Sequence, residues 1–303
     1  MPQLDTEKRI LDLPTALSPG LLAQAVDCFA ARYPALGCGE LGRSMLDRPI
    51  HRLQLGRGTP CAVYLSGQSG GDAAASAVLT RFVNEYSEQL ARRGRLYGVS
   101  IPYLAELRSI HAVPMLNPDG IGYALEGVPA DHLLRGRLVA MNRGSGDFSG
   151  WRANARGVDL RCNYAADAKA FMRRKKPAMA GPCPGGGPEG WCGEAAESEP
   201  ESSALGRWLR ALPGAAMVLE LRLGERRVVQ PLAADRRMAG LGRMLGRLCD
   251  APVAASDGGE LCDWAAALGV PGFVVYCGES GAVFDLYAGV REMLFLAPTL
   301  AGK

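Results

Sequence analysis

The stretch Ala62-Val63-Tyr64-Leu65-Ser66-Gly67-Gln68-Ser69-Gly70-Gly71-Asp72, running on into Ala73–Tyr86, constrains the fold more than any other part of the chain. An apolar run of strand length ends in a glycine-rich turn. The residues after the turn carry Ala75, Val78, Leu79, Phe82 and Tyr86 at helical spacing. The run reads as a buried strand, and the stripe as the face of a long helix lying on a sheet. Such a strand, turn and helix belong to an α/β protein, in which ligands collect outside the carboxyl ends of the strands. The turn Gly67–Asp72 is therefore the first candidate site.

The same alternation recurs along the chain. Ser18-Pro19 offers an N-cap serine with proline at the first helical position, ahead of Leu22, Ala25, Val26, Phe29 and Tyr33. Strands are predicted over Pro49–Leu55, Cys61–Ser66, Ile110–Met115, Ala216–Leu221 and Phe273–Cys277, and helices over Arg236–Leu248 and Leu286–Leu296. Gly56–Pro60 is expected to turn a hairpin between the first two strands, and Asn117-Pro118-Asp119-Gly120 to be a turn. Ser198-Glu199-Pro200-Glu201 reads as a capping-box helix start. With no internal repeat and no clear linker, the expectation is one α/β domain over residues 17–303 after an N-terminal extension over 1–16. Its mixed, mostly parallel sheet carries helices on both faces.

Composition excludes some partners. A formal charge of +3 on 303 residues gives no case for nucleic acid or a membrane surface. No apolar run reaches the ~18 residues that a membrane span needs. Met1–Ile10 holds Asp5, Glu7, Lys8 and Arg9 with no apolar centre, so no signal peptide is seen and a cytoplasmic location is expected. The nine cysteines are odd in number and scattered, which suits reduced thiols. Cys183 and Cys192 are too far apart for a close zinc knuckle, and Arg173-Arg174-Lys175-Lys176 reads as a solvated loop.

Gly67-Gln68-Ser69-Gly70-Gly71 also fits G-x-S-x-G, in which a strained turn exposes a nucleophilic serine. A serine hydrolase needs a histidine beside it, and the chain has only His51, His111 and His132, none in its second half. His51 and His111 sit in strand-like segments and read as structural, while His132 after Asp131 reads as solvated.

A set of further motifs runs over nearly the whole chain. Gly42, Ser44, Arg48 and Ile50 fit G-x-S-x-x-x-R-x-I, and Asn117–Gly120 follows as N-P-D-G. Trp151-Arg152-Ala153-Asn154-Ala155-Arg156-Gly157-Val158-Asp159-Leu160 fits W-[RK]-x-N-x-R-G-V-D-L. Glu197–Glu201 reads E-S-E-P-E, and Gly258-Gly259, Asp263-Trp264 and Pro271-Gly272-Phe273 come after it in order. In this combination the chain resembles the zinc carboxypeptidases, nearest the bacterial branch that cleaves γ-D-glutamyl-meso-diaminopimelate links in cell-wall peptides. The resemblance implies a single α/β domain with a mixed sheet of about eight strands.

It also implies where chemistry should lie. Such enzymes hold zinc with two histidines and a glutamate, use a second glutamate as general base, and bind the oxyanion and substrate carboxylate with arginines. By register, the ligand positions fall on Ser69, Asp72 and Leu221 and the base on Tyr276. Arg152 keeps the oxyanion position, and Arg161-Cys162 stands at the substrate-binding pair. The mobile substrate-side tyrosine of many relatives has no counterpart between Tyr164 and Tyr276. No metal cofactor is therefore expected where the family carries zinc. The expected function is a pseudopeptidase that keeps a cleft for a peptide or cell-wall fragment. The alternatives are an active metallocarboxypeptidase with atypical ligands, a serine hydrolase using Ser69, and a structural or partner-binding protein.

Overall fold

In the computed structural model the described residues are 16–166, 169, 171–172, 185–279 and 281–301. The expectations for the first 15 residues, for Arg173–Lys176 and for Cys183 fall outside them. The strands are β1 (Gly37–Arg43), β2 (Pro49–Gly56), β3 (Cys61–Ser66), β4 (Arg95–Leu96), β5 (Val99–Ser100), β6 (Ser109–Val113), β7 (Ala215–Arg222), β8 (Gly224–Gln230), β9 (Val253–Ala255) and β10 (Gly272–Gly278). The helices are α1 (Pro19–Arg32), α2 (Ala73–Ala91), α3 (Ile101–Leu107), α4 (Pro118–Glu126), α5 (Arg135–Met141), α6 (Pro200–Ala211), α7 (Arg236–Leu248), α8 (Leu261–Ala267) and α9 (Val283–Leu300).

Eight strands form one sheet in the order β1-β2-β6-β3-β7-β10-β8-β9, with β4 and β5 as a separate ribbon. The middle is parallel, from β6 through β3 and β7 to β10, and the flanks are antiparallel at β1–β2, β2–β6 and β10–β8. All six residues of β3 are buried, as a strand covered on both faces requires. Because side chains alternate along a strand, Tyr64, Leu219, Leu221 and Phe273 enter the core shared with α1, α2 and α9. Val63, Leu65 and Val218 point the other way, onto Leu205 and Leu209 of α6 and Trp264 of α8. The molecule is a single α/β domain, as the alternation of elements predicts. Among the described residues no helix is long and apolar enough to cross a membrane.

Four local expectations fail for identifiable reasons. β2 and β3 do not form a hairpin, because β6 lies between them and pairs with both. The turn at Asn117 is the start of α4: Pro118 fills the first helical position and the Asn117 side chain accepts from Gly120 N at 2.9 Å. α6 has no side-chain cap at Glu199, whose carboxylate is engaged by Asn154 and Ser198 instead. The capping box occurs at α8, between Glu260 and Asp263. Finally, Cys162 and Cys192 are joined as a disulfide with their Cα atoms 5.0 Å apart, so the cysteines are not all free thiols.

Candidate functional site

The cleft is built at the carboxyl ends of β3, β7 and β10. Ser66, the last residue of β3, donates its hydroxyl to Leu221 O at 3.0 Å and fixes the two strand ends together. Gly67 then takes a positive φ of 70°, and a side chain there would collide with Ser76 and Met115. The turn closes on itself: Asp72 N donates to Ser69 O at 3.0 Å and Ser69 N to Asp72 Oδ2 at 3.2 Å. The Ser69 hydroxyl accepts from Gly71 N at 3.2 Å, and the residue is buried.

Asp72 is also buried, and its Oδ1 accepts from Leu223 N at 3.3 Å, just beyond the end of β7. Burial pushes its carboxyl above the usual range, while the Arg222 and Arg161 charges pull it back. Leu221, the third ligand position implied by the resemblance, turns into the apolar core and is fully buried there. Alternation along β7 places its neighbours Glu220 and Arg222 on the opposite face. The side chain that this strand end presents to the cleft is that of Arg222.

Arg222 is the centre of a buried ionic network. Its Nε and Nη2 hold the two Glu220 oxygens at 2.6 and 2.8 Å. Its Nη1 donates to Glu260 Oε2 at 2.6 Å and lies 3.5 Å from the Tyr276 hydroxyl. Burial works against the charge on Arg222, but the Glu220 and Glu260 carboxylates outweigh it and raise the pKa well above normal. The Tyr276 ring is capped on one face by the Arg227 guanidinium, 3.9 Å from its centroid.

Two other arginines line the site. The Arg152 guanidinium lies across Gly71, where an added Cβ would fall 2.7 Å from Cζ. Its Nη1 donates to Ser149 O at 3.1 Å and Trp151 O at 3.2 Å, and its Nε and Nη2 have no protein acceptor among the described residues. Arg161 is forked onto Asp159 at 2.9 and 2.7 Å. Burial disfavours its charge, and Asp159 more than restores it. Cys162, beside it, is tied into the disulfide with Cys192, which removes its thiol from ligand binding.

No histidine serves Ser69. His111 has Nδ1 3.3 Å from Arg52 Nη1 and its ring edge-on to Trp208, and burial followed by Arg52 pushes its pKa down to about 4. His132 is not simply solvated, since it contacts the Tyr123 hydroxyl at 3.3 Å and accepts from Leu134 N at 3.1 Å. His51 pairs in register with Glu40 on the edge of the sheet. With its hydroxyl buried and accepting a backbone N–H, Ser69 lacks the equipment of a nucleophile.

Residues 22–238 match the zinc carboxypeptidase family. The chain belongs to that family. It is 31% identical over 173 residues to gamma-D-glutamyl-L-diamino acid endopeptidase 1 of Lysinibacillus sphaericus, an alignment covering 57% of this chain and 42% of that relative. The aligned part is thus less than half of the relative's own length. Thrombin activatable fibrinolysis inhibitor shares the fold with a TM-score of 0.71 at 14% identity, over 97% of this chain and 77% of that one. Murein-tripeptide amidase MpaA of Escherichia coli O157 gives a TM-score of 0.50 at 19% identity, over 87% and 91% of the two chains. At these identities the structural likenesses establish the fold alone.

The residues present do not fit the family's zinc. A hydroxyl bonded to a backbone amide, one carboxylate with both oxygens bonded to amides, and a guanidinium do not make the nitrogen and carboxylate donor set that zinc requires. Among the described residues no three His, Cys, Asp or Glu side chains are grouped to hold a metal ion. Glu220, Arg222 and Glu260 do not stand out from the zinc-carboxypeptidase motifs. The available signal is local: Ala215–Arg222 is apolar until Glu220 and Arg222, two residues apart and hence on one face.

Proposed function

We propose that this member of the zinc carboxypeptidase family binds, without hydrolysing, a peptide carrying a free carboxylate, of the γ-D-glutamyl-diaminopimelate kind. The reading rests chiefly on Tyr276. At the position expected for the general base the cleft presents a phenol, held between Arg222 and Arg227, in place of a carboxylate. Loss of a general base alone removes on the order of 10²–10⁴ in rate. Arg152, at the oxyanion position, supports the binding half of the proposal: it is anchored by one nitrogen and offers Nε and Nη2 as a fork for a carboxylate. The class of peptide follows the names of the endopeptidase and the murein-tripeptide amidase that the chain resembles.

Calorimetric titration with a γ-D-glutamyl-diaminopimelate peptide, alongside chromatography of the same mixture, tests both halves. Saturable binding with intact peptide, weakened about tenfold or more by Arg152→Ala, is the expected result. Turnover by the wild type, or no binding at all, overturns it; absence of both leaves a structural role as the better account.

A further inference from the structure

We infer that Arg222 is the resident cation of the cleft floor and stands in the electrostatic place of the metal ion that this fold otherwise holds there. The inference rests on the reading above that the site no longer takes zinc, and it concerns what replaced the metal rather than what the cleft binds.

The location supports it first. Arg222 ends β7, and the next residue, Leu223, donates its amide to Asp72, the carboxylate that remains in the turn after β3. The Arg222 charge acts directly on Asp72, as does that of Arg161. The guanidinium thus occupies the point where the ends of β3, β7 and β10 converge, with Tyr276 on its third side.

Charge balance supports it second. Glu220 is fully buried, Asp72 nearly so, and the Glu260 side chain is only 18% exposed. Glu220 and Glu260 meet on one side chain and Asp72 feels the same charge; buried carboxylates of this kind need a cation, because an isolated one loses far more in desolvation than it recovers. A divalent ion would supply that charge in a zinc enzyme. Here one guanidinium, itself 4% exposed, is forked onto Glu220 and bonded to Glu260 in geometry that a point charge would not need.

Function follows from the difference between the two cations. A guanidinium is not removed by chelators and does not deprotonate in the accessible pH range. With Nε and both terminal nitrogens committed to Glu220, Glu260 and Tyr276, it offers a ligand carbonyl no open coordination position. The network also ties β7 to the N-cap of α8 through Glu260 and so sets the floor on which a ligand held by Arg152 would lie.

The test reads metal content and melting temperature, neither of which needs a peptide ligand, so failure of the binding proposal and failure of this one are separable. Wild-type protein incubated with zinc and desalted should carry far less than one equivalent, and its melting temperature should not move with EDTA. Arg222→Met should lower the melting temperature by roughly 10 °C, and Glu220→Gln/Arg222→Met should recover part of that loss, because the worst state is a buried carboxylate without its cation. Ser69→His/Asp72→Glu/Arg222→His, which restores the donor set of the family, should take up one zinc per chain and become sensitive to EDTA. Stoichiometric zinc in the wild type, a double variant no more stable than Arg222→Met, or a folded triple variant that ignores zinc would each overturn the inference.

Discussion

Asn154 and Glu201 meet across 47 residues of sequence, the Asn154 side-chain amide donating to Glu201 Oε2 at 3.2 Å. The same amide donates to Glu199 Oε2 at 2.9 Å, and Asn154 Oδ1 accepts from Arg156 N and Val158 N. Glu201 Oε1 accepts from Met45 N at 3.1 Å, and Asp119 Oδ2 from Leu46 N at 3.0 Å. Arg48 pairs with Asp119, and its amide donates to Ser44 Oγ. Asp119 and Glu201, the latter held by Asn154, therefore brace one turn, Ser44–Arg48, whose Ser44 is buried while Met45 and Asp47 are exposed. This is scaffolding. It does not depend on what stands in the cleft, which is why the family is readable from these motifs.

The carboxylates in that brace make stability depend on pH. Burial, with repulsion from Asp119, pushes Glu201 up to about 7 against hydrogen bonds that favour its charge. In an unfolded chain a glutamate titrates near ~4.3, so between the two values the folded chain keeps a proton that the unfolded one releases. This contribution is present at low pH and is lost as pH rises through 7. His111, held down near 4, acts in the opposite sense between ~6.5 and 4, so the wild-type profile mixes the two. Urea titrations of wild type and Glu201→Gln at pH 5 and pH 8 separate them. The wild type should be favoured over the variant at pH 5 more than at pH 8, by on the order of 2–3 kcal/mol. Equal differences at the two pH values would show that Glu201 is ionised in the fold.

The sequence is informative about the fold in proportion to how local the cause is. β3 and α2 are legible because burial on both faces gives an unbroken apolar run and a clean stripe. β8 is not, since Gly224-Glu225-Arg226-Arg227 shows no apolar pattern until Val228 and Val229 reach the interior. In the site, Ser69 and Asp72 lie in the turn between β3 and α2, and Tyr276 lies near the end of β10. Leu221 turns into the apolar core, and since one residue along a strand reverses the face, Arg222 points the other way. The ionic network was hidden because Glu260 joins it from α8, 38 residues away from Arg222. Nothing in a linear pattern marks that pairing.

The disulfide gives a chemical test. Of the eight cysteines among the described residues, Cys162 and Cys192 are paired, whereas Cys28, Cys38, Cys61, Cys249, Cys262 and Cys277 are free. Denatured protein labelled with a maleimide should take up two more equivalents after reduction than before, and a peptide map should link Cys162 to Cys192. Cys162→Ser/Cys192→Ser should lose about 2–4 kcal/mol of stability. An unchanged thiol count on reduction would remove the cross-link.

Leu221 and Arg222 are adjacent yet should behave differently. Leu221 is wholly inside the core, so Leu221→Ala should cost about 2–5 kcal/mol in unfolding free energy through the cavity it leaves. Peptide affinity, measured by calorimetry at a temperature where the variant is folded, should stay unchanged. A loss of affinity with little loss of stability would return Leu221 to the cleft.

Gly71 should control the cleft through Arg152. An alanine Cβ there would lie 2.7 Å from Arg152 Cζ and 2.8 Å from Nε, far inside contact distance. The atoms it meets are the end of a flexible side chain, so the fold can yield by moving the guanidinium, at a cost below about 1 kcal/mol. The ligand cannot follow, because a carboxylate fork needs its two donors in fixed geometry. Gly71→Ala should therefore weaken peptide binding about tenfold while leaving the urea midpoint nearly unchanged. If the effect runs through Arg152, it disappears in its absence: Gly71→Ala added to Arg152→Ala should produce no further loss. Additive losses would mean that Gly71 touches the peptide itself, and that the carboxylate is held elsewhere.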